Sequence, residues 1–205
     1  ADAPAILAPP PIAGQPAPSN AEVGPTVDQD AANPTRASQA GSNATDAAYT
    51  AMENSSFYSV TLKNFAAPWT NRDQSIFVPL NDYTATVIGM VRDDVPFNTL
   101  LSANLVYVGT GGGIPAYSPT SNDHYQALED QNADLKARLT ASSQTAVSGL
   151  PDSATAGVIT TRAAAEAFFI AGTNRAMFRF TMLNHLCRDM EQVLDTRGVP
   201  DRIRQ

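Results

Sequence analysis

The sequence is poor in the residues from which self-contained catalytic sites are usually built. Its 205 residues include one cysteine, Cys187, and two histidines, His124 and His185. A single cysteine cannot form a disulfide within the chain, so the protein is not a disulfide-stapled scaffold. The sequence contains no His-Glu-x-x-His, Gly-x-Ser-x-Gly or CxxCH motif. We therefore expect neither a catalytic triad, nor a zinc centre, nor covalently attached haem in this chain.

Positive charge and long hydrophobic runs are scarce as well. The chain has 13 Lys and Arg residues against 20 Asp and Glu, a net charge of -7, and the basic residues are scattered. Binding to a nucleic-acid backbone requires clustered basic residues, so this class is excluded. The longest apolar stretch, AGVITTRAAAEAFFIAG (156–172), is interrupted by Arg162 and Glu166 and is shorter than the roughly 20 residues that span a bilayer. We expect no membrane-spanning helix.

The low content of charged residues also bears on where the protein resides. Only 16% of the residues are charged, which leaves much of the surface to Asn, Ser, Thr, Gln, Ala and Pro. This composition is common in exported proteins. The first residues, Ala-Asp-Ala-Pro, resemble the sequence that remains after cleavage at a small-residue signal-peptide site. We expect a periplasmic or extracellular location.

Proline, in contrast, is concentrated at the start of the chain. Eight of the 15 prolines lie within the first 34 residues. Each removes a backbone donor and favours extended geometry in its neighbour, which disfavours helices and central strands. Composition alone is typical of an unstructured tail, but scattered apolar residues could dock on another subunit or on the body of this chain. We therefore predict that residues 1–45 form an extended Pro/Ala-rich interaction arm. The docking residues would be Ile6, Leu7, Ile12 and Val23.

From residue 46 to residue 205 the pattern predicts one helical domain, of a mainly α class with irregular helices and long loops. DYTATVIGMVRDD (82–94) is rich in β-branched residues, yet its apolar residues share one face of a helix, so we predict a helix. FYSVTLKNF (57–65) alternates like a strand, and with the Pro- and Trp-bearing sequence APWTNRDQSIFVPL (67–80) after it the pattern predicts a loop with one short extended piece. Pro96 fits the first turn of a helix over 96–104. A capping box at Thr120 predicts a further helix that ends near Thr140.

The clearest pattern is a helical hairpin over residues 161–195. TTRAAAEAFFIAG (160–172) predicts a helix that Gly172 ends, and Thr173 can cap a second helix. Spacings of four and three residues give the second helix an apolar stripe on one face. The stripe consists of Ala176, Phe180, Leu183, Cys187, Met190 and Leu194. We expect this hairpin to lie at the centre of the core.

Several residues of chemically reactive types are predicted to have structural rather than catalytic roles. His185 and Cys187 are two positions apart, so on a helix they point in nearly opposite directions and cannot share a metal ion. Cys187 is predicted to be a small buried apolar residue. Asp93 and Asp94 are adjacent and are predicted to form a solvated cap rather than an acid/base pair. The glycine-rich loop GTGGGIPAYSPT (109–120) has no Gly-Lys-Ser/Thr sequence after it and is not expected to bind nucleotide.

Three segments of the chain resemble a known family. DDVPFNTLLSANLVYVG (93–109), AGVITTRA (156–163) and TNRAMFRFTMLNHLC (173–187) occur in the order, and close to the spacing, of similar segments in planctomycete-type cytochrome c proteins. In that family they belong to helical domains of unknown function upstream of a haem-binding CxxCH. The resemblance covers roughly residues 79–195. Asn104 stands where the family often has Asp, and CxxCH itself is absent.

The resemblance implies a helical companion module for a haem c domain that belongs to a continuation of the chain or to a partner. His124 and His185 are then the candidates for contacting that haem. His124 lies in the first turn of its predicted helix, where the helix dipole favours neutral imidazole and leaves a nitrogen available for ligation. We expect no cofactor in this chain itself and expect other protein subunits as partners.

Three functional classes remain open. The first is a non-catalytic interaction module of an exported, cytochrome-associated assembly, and the sequence favours it. The second is a domain of an exported haem-dependent oxidative enzyme, for which a deep pocket lined by His185 or Asp93 would be the sign. The third is a carbohydrate- or surface-binding module, which would require Trp69 and Tyr58 to be exposed on one flat face.

Overall fold

The computed structural model describes residues 34–170, 174–189 and 192. In this part of the chain the elements are helices and one two-stranded sheet, so the predicted mainly α class is confirmed. The α-helices are α1 (Pro34–Met52), α2 (Lys63–Ala66), α3 (Asp82–Arg92), α4 (Asp123–Asp130), α5 (Leu135–Arg138), α6 (Gln144–Ser148), α7 (Arg162–Ala164) and α8 (Asn174–Leu186). The strands are β1 (Val106–Gly109) and β2 (Leu139–Ser142).

The chain divides into two units, of which the first ends at Thr45. Residues 34–45 of this unit form the beginning of α1. The prediction of an extended arm is therefore wrong for these twelve positions, because proline is tolerated at the start of a helix and no further proline follows Pro34 in this stretch. The remainder of the predicted arm lies outside the described residues, together with its docking residues Ile6, Leu7, Ile12 and Val23.

In the second unit, helix α3 forms the centre of the core. Its first nine residues, Asp82 to Met90, are all buried. A helix buried on every side needs neighbours on every side, and α3 packs against α2, α5, α7 and both strands. Asn81 starts the helix because its side-chain oxygen accepts the backbone N–H of Thr84 at 3.0 Å. The predicted helix over this segment is confirmed.

The two strands pair antiparallel, with Val106 opposite Ser142 and Gly109 opposite Leu139. Strand β1 lies directly on α3, and Gly89 permits the close approach. A Cβ at this position would lie 2.1 Å from Cδ1 of Tyr107. The absence of a side chain at Gly89 therefore allows the ring of Tyr107 to rest on the helix backbone.

The segment predicted to be extended, FYSVTLKNF (57–65), is helical instead. Phe57–Leu62 forms a π-helical turn that continues into α2 and then into the 3₁₀ turn Ala67–Thr70. Tyr58 and Leu62 are four residues apart and both are buried. Spacing of four places residues on the same face of a helix, and this spacing outweighed the alternation that suggested a strand.

Two other predicted helices are shorter than expected. Over 96–104 only the 3₁₀ turn Phe97–Thr99 forms. The helix expected to begin at Thr120 and end near Thr140 is divided into α4 and α5, and its last residues enter β2. Asn122 rather than Thr120 is the residue that precedes α4, and its side chain makes no capping hydrogen bond. Asp134 starts α5 by accepting the N–H of Lys136.

The predicted hairpin begins as expected. Thr161 caps α7 by accepting the N–H of Ala164, and α7 continues as the π-helical segment Ala165–Ile170. This segment packs against α8, where the rings of Phe168 and Phe180 stack with their centroids 4.7 Å apart. The expected end at Gly172, the cap at Thr173 and the stripe residues Met190 and Leu194 lie outside the described residues. Within the described part of the chain, no helix combines the length and apolar character needed to cross a membrane.

Candidate functional site

Four rings meet where α8 lies against α3 and the turn after α2. They form the His185 cluster, which consists of Phe65, Trp69, Tyr83 and His185. Ring centroids are 4.9 Å apart for Phe65 and Trp69, and 5.5 Å apart for Trp69 and His185. The side chain of Asn184 also donates to the backbone carbonyl of Trp69 at 3.1 Å. These contacts fix the end of α8 against the preceding elements.

The innermost contact of the His185 cluster is a hydrogen bond between a phenol and an imidazole. The hydroxyl of Tyr83 lies 2.6 Å from Nε2 of His185. Tyr83 is 1% exposed, and its hydroxyl has no other hydrogen-bond partner among the described residues. A buried hydroxyl needs an acceptor for its proton, so we assign the hydroxyl as the donor to Nε2 and place the hydrogen of the neutral imidazole on Nδ1. Burial raises the pKa of Tyr83 and lowers the pKa of His185, so both groups are neutral near pH 7.

The other histidine, His124, is buried and structural. Its Nδ1 lies 2.7 Å from the carbonyl oxygen of Pro115, to which it donates, and its Nε2 accepts the N–H of Gly109 at 2.8 Å. Both ring nitrogens are thus occupied, and the nitrogen expected to be available for ligation is not. His124 also borders a cleft of about 340 Å³ together with Ile114 and Tyr117. The two histidines have different ring neighbours, and no described contact brings them together.

A buried carboxylate, Asp82, joins α3 to α7. It is 0% exposed and accepts the backbone N–H groups of Arg162 at 2.6 Å and Ala163 at 3.0 Å, and the hydroxyl of Tyr117 at 3.2 Å. Burial raises the pKa of Asp82, and these hydrogen bonds limit the rise because they favour the charged form. This role of Asp82 was not predictable from the sequence, since an acidic residue is ordinary in the first turn of a helix.

The predicted cap at Asp93 also serves a structural purpose. Its carboxylate accepts hydrogen bonds from Nε of Arg92 at 2.6 Å and from the hydroxyl of Tyr107 at 2.7 Å. The Arg92 guanidinium lowers the pKa of Asp93, so this carboxylate is ionised and poorly suited to accept a proton. Asp94 adopts a left-handed conformation with φ of 52°. The two carboxylates accordingly do not act as a pair.

Three aromatic or thiol residues are placed differently from what their proposed roles require. Tyr58 is buried and Trp69 is half-buried, so they do not form the exposed flat face that a carbohydrate-binding module would need. Cys187 is exposed, just beyond the end of α8, with φ of 50°. Its expected position on the buried stripe is wrong because the helix ends before the stripe reaches it.

An exposed apolar loop lies beside α2. In this segment, residues 71–79, here called the Phe77 loop, Phe77 is 91% exposed and Ile76 is 41% exposed. The loop is internally braced. Asn71 accepts the N–H of Ser75 at 2.9 Å, and the hydroxyl of Ser75 accepts the N–H of Phe77 at 3.0 Å. These bonds hold a large apolar ring in solvent without any packing around it.

The described residues include no group of three or more His, Cys, Asp or Glu side chains that could hold a metal ion. The clefts bordered by His124, by Arg162 and by Phe77 have neither His185 nor Asp93 in their lining. No protein-family model, curated protein or solved structure matches the chain. The geometry of the described residues and the three family-like segments are therefore the basis for a functional proposal.

Proposed function

We propose that the chain is a non-catalytic interaction module of an exported assembly and that its partner carries a c-type cytochrome. The observation that supports interaction most directly is the Phe77 loop. Apolar side chains in water carry a free-energy cost of about 25 cal/mol per Å² of exposed apolar surface, and the burial of Phe77 in a partner would remove it. Aromatic side chains are enriched in protein interfaces, where a few of them supply most of the binding free energy.

The bracing of the loop strengthens this proposal. A flexible loop would lose conformational entropy on binding, whereas the hydrogen bonds that Asn71 and Ser75 accept already restrict the backbone that leads to Phe77. Lys63 and Glu129, which form an ion pair, line a cleft of about 410 Å³ beside Phe77 and Pro79. The loop thus presents an apolar ring with polar groups at its edge, which is the usual arrangement of an interface centre and its rim.

The uses of the titratable groups support a non-catalytic role. Both nitrogens of His124 are hydrogen-bonded within the fold, Asp82 holds the start of α7, and Asp93 is paired with Arg92. An acid/base catalyst must be able to reach a proton on a substrate. These groups instead satisfy donors of the chain itself.

The proposed cytochrome partner is supported by the three family-like segments and by charge. A net charge of -7 favours association with a partner whose docking face is basic. In this proposal the haem belongs to the partner or to a continuation of the chain, and no histidine of this chain is assigned as its ligand. Export is part of the same proposal, because c-type cytochromes of this kind reside outside the cytoplasm.

The test is to isolate a tagged form of the chain from its native source and to record the visible spectrum of what co-purifies. We expect a Soret band. After digestion we expect a haem-bearing CxxCH peptide, which is absent from residues 1–205 and comes either from a partner or from a continuation of the tagged chain. Phe77→Ser should reduce the co-purifying haem at least tenfold. Tyr49→Ser is the matched control, because Tyr49 is also an exposed aromatic, at 65%, and lies elsewhere.

Three results would contradict parts of the proposal. If the wild-type chain is isolated without any haem absorbance, the cytochrome partner is wrong. If haem co-purifies equally with wild type and Phe77→Ser, the partner stands but the Phe77 loop is not its docking site. A loss of haem with both Phe77→Ser and Tyr49→Ser would also remove the assignment to the loop.

A further inference from the structure

The hydrogen bond between Tyr83 and His185 has the features required for oxidation of a tyrosine. A phenol loses an electron readily only if its proton can leave at the same time, because the protonated phenoxyl radical is a very strong acid. A neutral imidazole nitrogen in hydrogen-bond contact can take that proton, and Nε2 of His185 lies 2.6 Å from the Tyr83 oxygen. The buried position of Tyr83 shields the resulting radical from water and from other molecules.

The hydroxyls of the other tyrosines that donate hydrogen bonds are placed less favourably for proton transfer. Tyr125 donates to the backbone carbonyl of Tyr107 at 2.7 Å, and a carbonyl oxygen does not take up a proton near neutral pH. Tyr107 donates to Asp93, whose charge is already stabilised by Arg92. Tyr117 donates to Asp82 over a longer distance, 3.2 Å. Among the described residues, Tyr83 is the only tyrosine whose hydroxyl is hydrogen-bonded to an imidazole.

An electron also needs a route from the buried phenol to the surface. The indole of Trp69 is half-buried and lies 5.5 Å from the imidazole of His185, measured between ring centroids. The ring of Phe65, 57% exposed, covers the outer side of Trp69 at 4.9 Å. Indole, like phenol, is among the readily oxidised side chains, so Trp69 is suited to pass an electron between Tyr83 and an oxidant at the surface.

The geometry points to a new activity: Tyr83 and His185 form a proton-coupled redox pair that exchanges one electron with a strong one-electron oxidant at the surface beside Trp69. In the forward step the Tyr83 O–H bond breaks. Its electron passes through Trp69 to the oxidant, which is reduced by one electron, and its proton moves to Nε2 of His185. The products are a neutral tyrosyl radical and an imidazolium. The reverse step returns one electron and the same proton. This inference does not depend on the docking of a cytochrome.

The test uses the isolated chain with photo-oxidised tris(bipyridine)ruthenium(III) as the oxidant and electron paramagnetic resonance to detect the radical. The wild-type chain should give a neutral tyrosyl signal. Tyr83→Phe should reduce that signal at least fivefold. His185→Gln should do the same although Tyr83 remains, because an amide can accept the hydrogen bond but cannot take up the proton. Trp69→Phe should slow formation of the signal without abolishing it.

Tyr125→Phe is the matched control, since it removes a buried phenol whose hydroxyl is hydrogen-bonded to a backbone carbonyl rather than to a base, and it should leave the signal unchanged. The pH dependence separates the redox role from a merely structural one. Imidazolium cannot take a second proton, so the yield should fall as the pH falls through the pKa of His185, which burial holds below 6.5. In the part of the chain that the structure describes, the ring neighbours of His185 are the phenol of Tyr83, from α3, and the uncharged indole of Trp69.

Three results would overturn the inference. The first is a tyrosyl signal of equal size in wild type and Tyr83→Phe. The second is a signal that Tyr117→Phe abolishes, which would place the radical beside Asp82. The third is an unchanged signal in His185→Gln. If Tyr83→Phe fails to fold, as judged by circular dichroism, the comparison of wild type with His185→Gln still decides the question.

Discussion

Asp82, the first residue of α3, accepts at Oδ2 a hydrogen bond of 2.6 Å from the backbone N–H of Arg162, the first residue of α7. Its other oxygen accepts the N–H of Ala163 at 3.0 Å. The first N–H groups of a helix have no partner inside the helix. A side chain 80 positions earlier in the sequence therefore supplies what is usually a local cap.

Removal of this carboxylate should destabilise the fold strongly. In Asp82→Asn one carboxylate oxygen becomes an NH2 group that cannot accept the backbone N–H it faces, so one of the two buried N–H groups of α7 loses its acceptor. We expect the free energy of unfolding to fall by about 3 kcal/mol. Urea unfolding followed by circular dichroism measures it. Asp130→Asn, at an exposed carboxylate, should change it by less than about 0.5 kcal/mol, and an equal loss in both variants would refute the role given to Asp82.

The burial of His185 should make stability depend on pH. Burial holds the pKa of His185 below 6.5 in the folded chain, whereas the unfolded chain regains the ordinary value. The unfolded chain therefore binds the proton first as the pH falls, and the free energy of unfolding should decrease from pH 6.5 downwards through the folded pKa. Urea midpoints from pH 7 to about 5 test this. His185→Gln should flatten the decline, and an identical slope in this variant would contradict the prediction.

Two helical glycines should respond to alanine in opposite directions. Gly89→Ala places a Cβ 2.1 Å from Cδ1 of Tyr107, so β1 must move away from α3. We expect a loss of about 2 kcal/mol or more in spite of the better helix propensity of alanine. At Gly41 nothing lies within 4 Å of the added Cβ, and alanine should increase the helicity of α1 with a gain of up to about 1 kcal/mol. Circular dichroism and thermal unfolding of both variants are the measurements.

Two phenylalanines of α8 form a second matched pair. Phe180 is buried and stacks on Phe168, so Phe180→Ala should cost about 3–5 kcal/mol because it leaves a cavity between α8 and the segment that follows α7. Phe178 is 59% exposed, and Phe178→Ala should change the free energy of unfolding by less than about 0.5 kcal/mol. A large loss for Phe178→Ala would mean that its ring is covered by part of the chain or by another copy.

The hydrophobic pattern predicted α3 and the start of the hairpin, because each presents its own buried face. It did not predict how deeply α3 is buried. Thr84 and Thr86 are polar, yet both are buried because neighbouring segments cover the sides of the helix that the apolar residues do not occupy. The segment 57–65 was misassigned for a similar reason. Contacts with the distant helix α5, including the N–H of Leu135 donated to Ser59 Oγ, favour its helical form.

The candidate site was predictable only in part. His185 was a candidate because the chain has only two histidines. Its hydrogen-bond partner Tyr83 lies 102 positions away, and one sequence does not show which distant residues are in contact. The predicted buried position of Cys187 is wrong because α8 ends at Leu186, and the backbone leaves the helical conformation at Cys187. The exposure of Phe77 was also not predictable from the sequence, because the apolar residues of SIFVP (75–79) are typical of a buried strand.

The burial of α3 on every side has a consequence for how the chain acquires its structure. The helix contacts α2, which precedes it, and β1, β2, α5 and α7, which follow it by up to about 80 residues. During synthesis it has only part of its covering until the residues of α7 have left the ribosome. In the folded protein its amide hydrogens should exchange with solvent only when the whole domain opens, so the slowest-exchanging amides should lie between Ala85 and Met90.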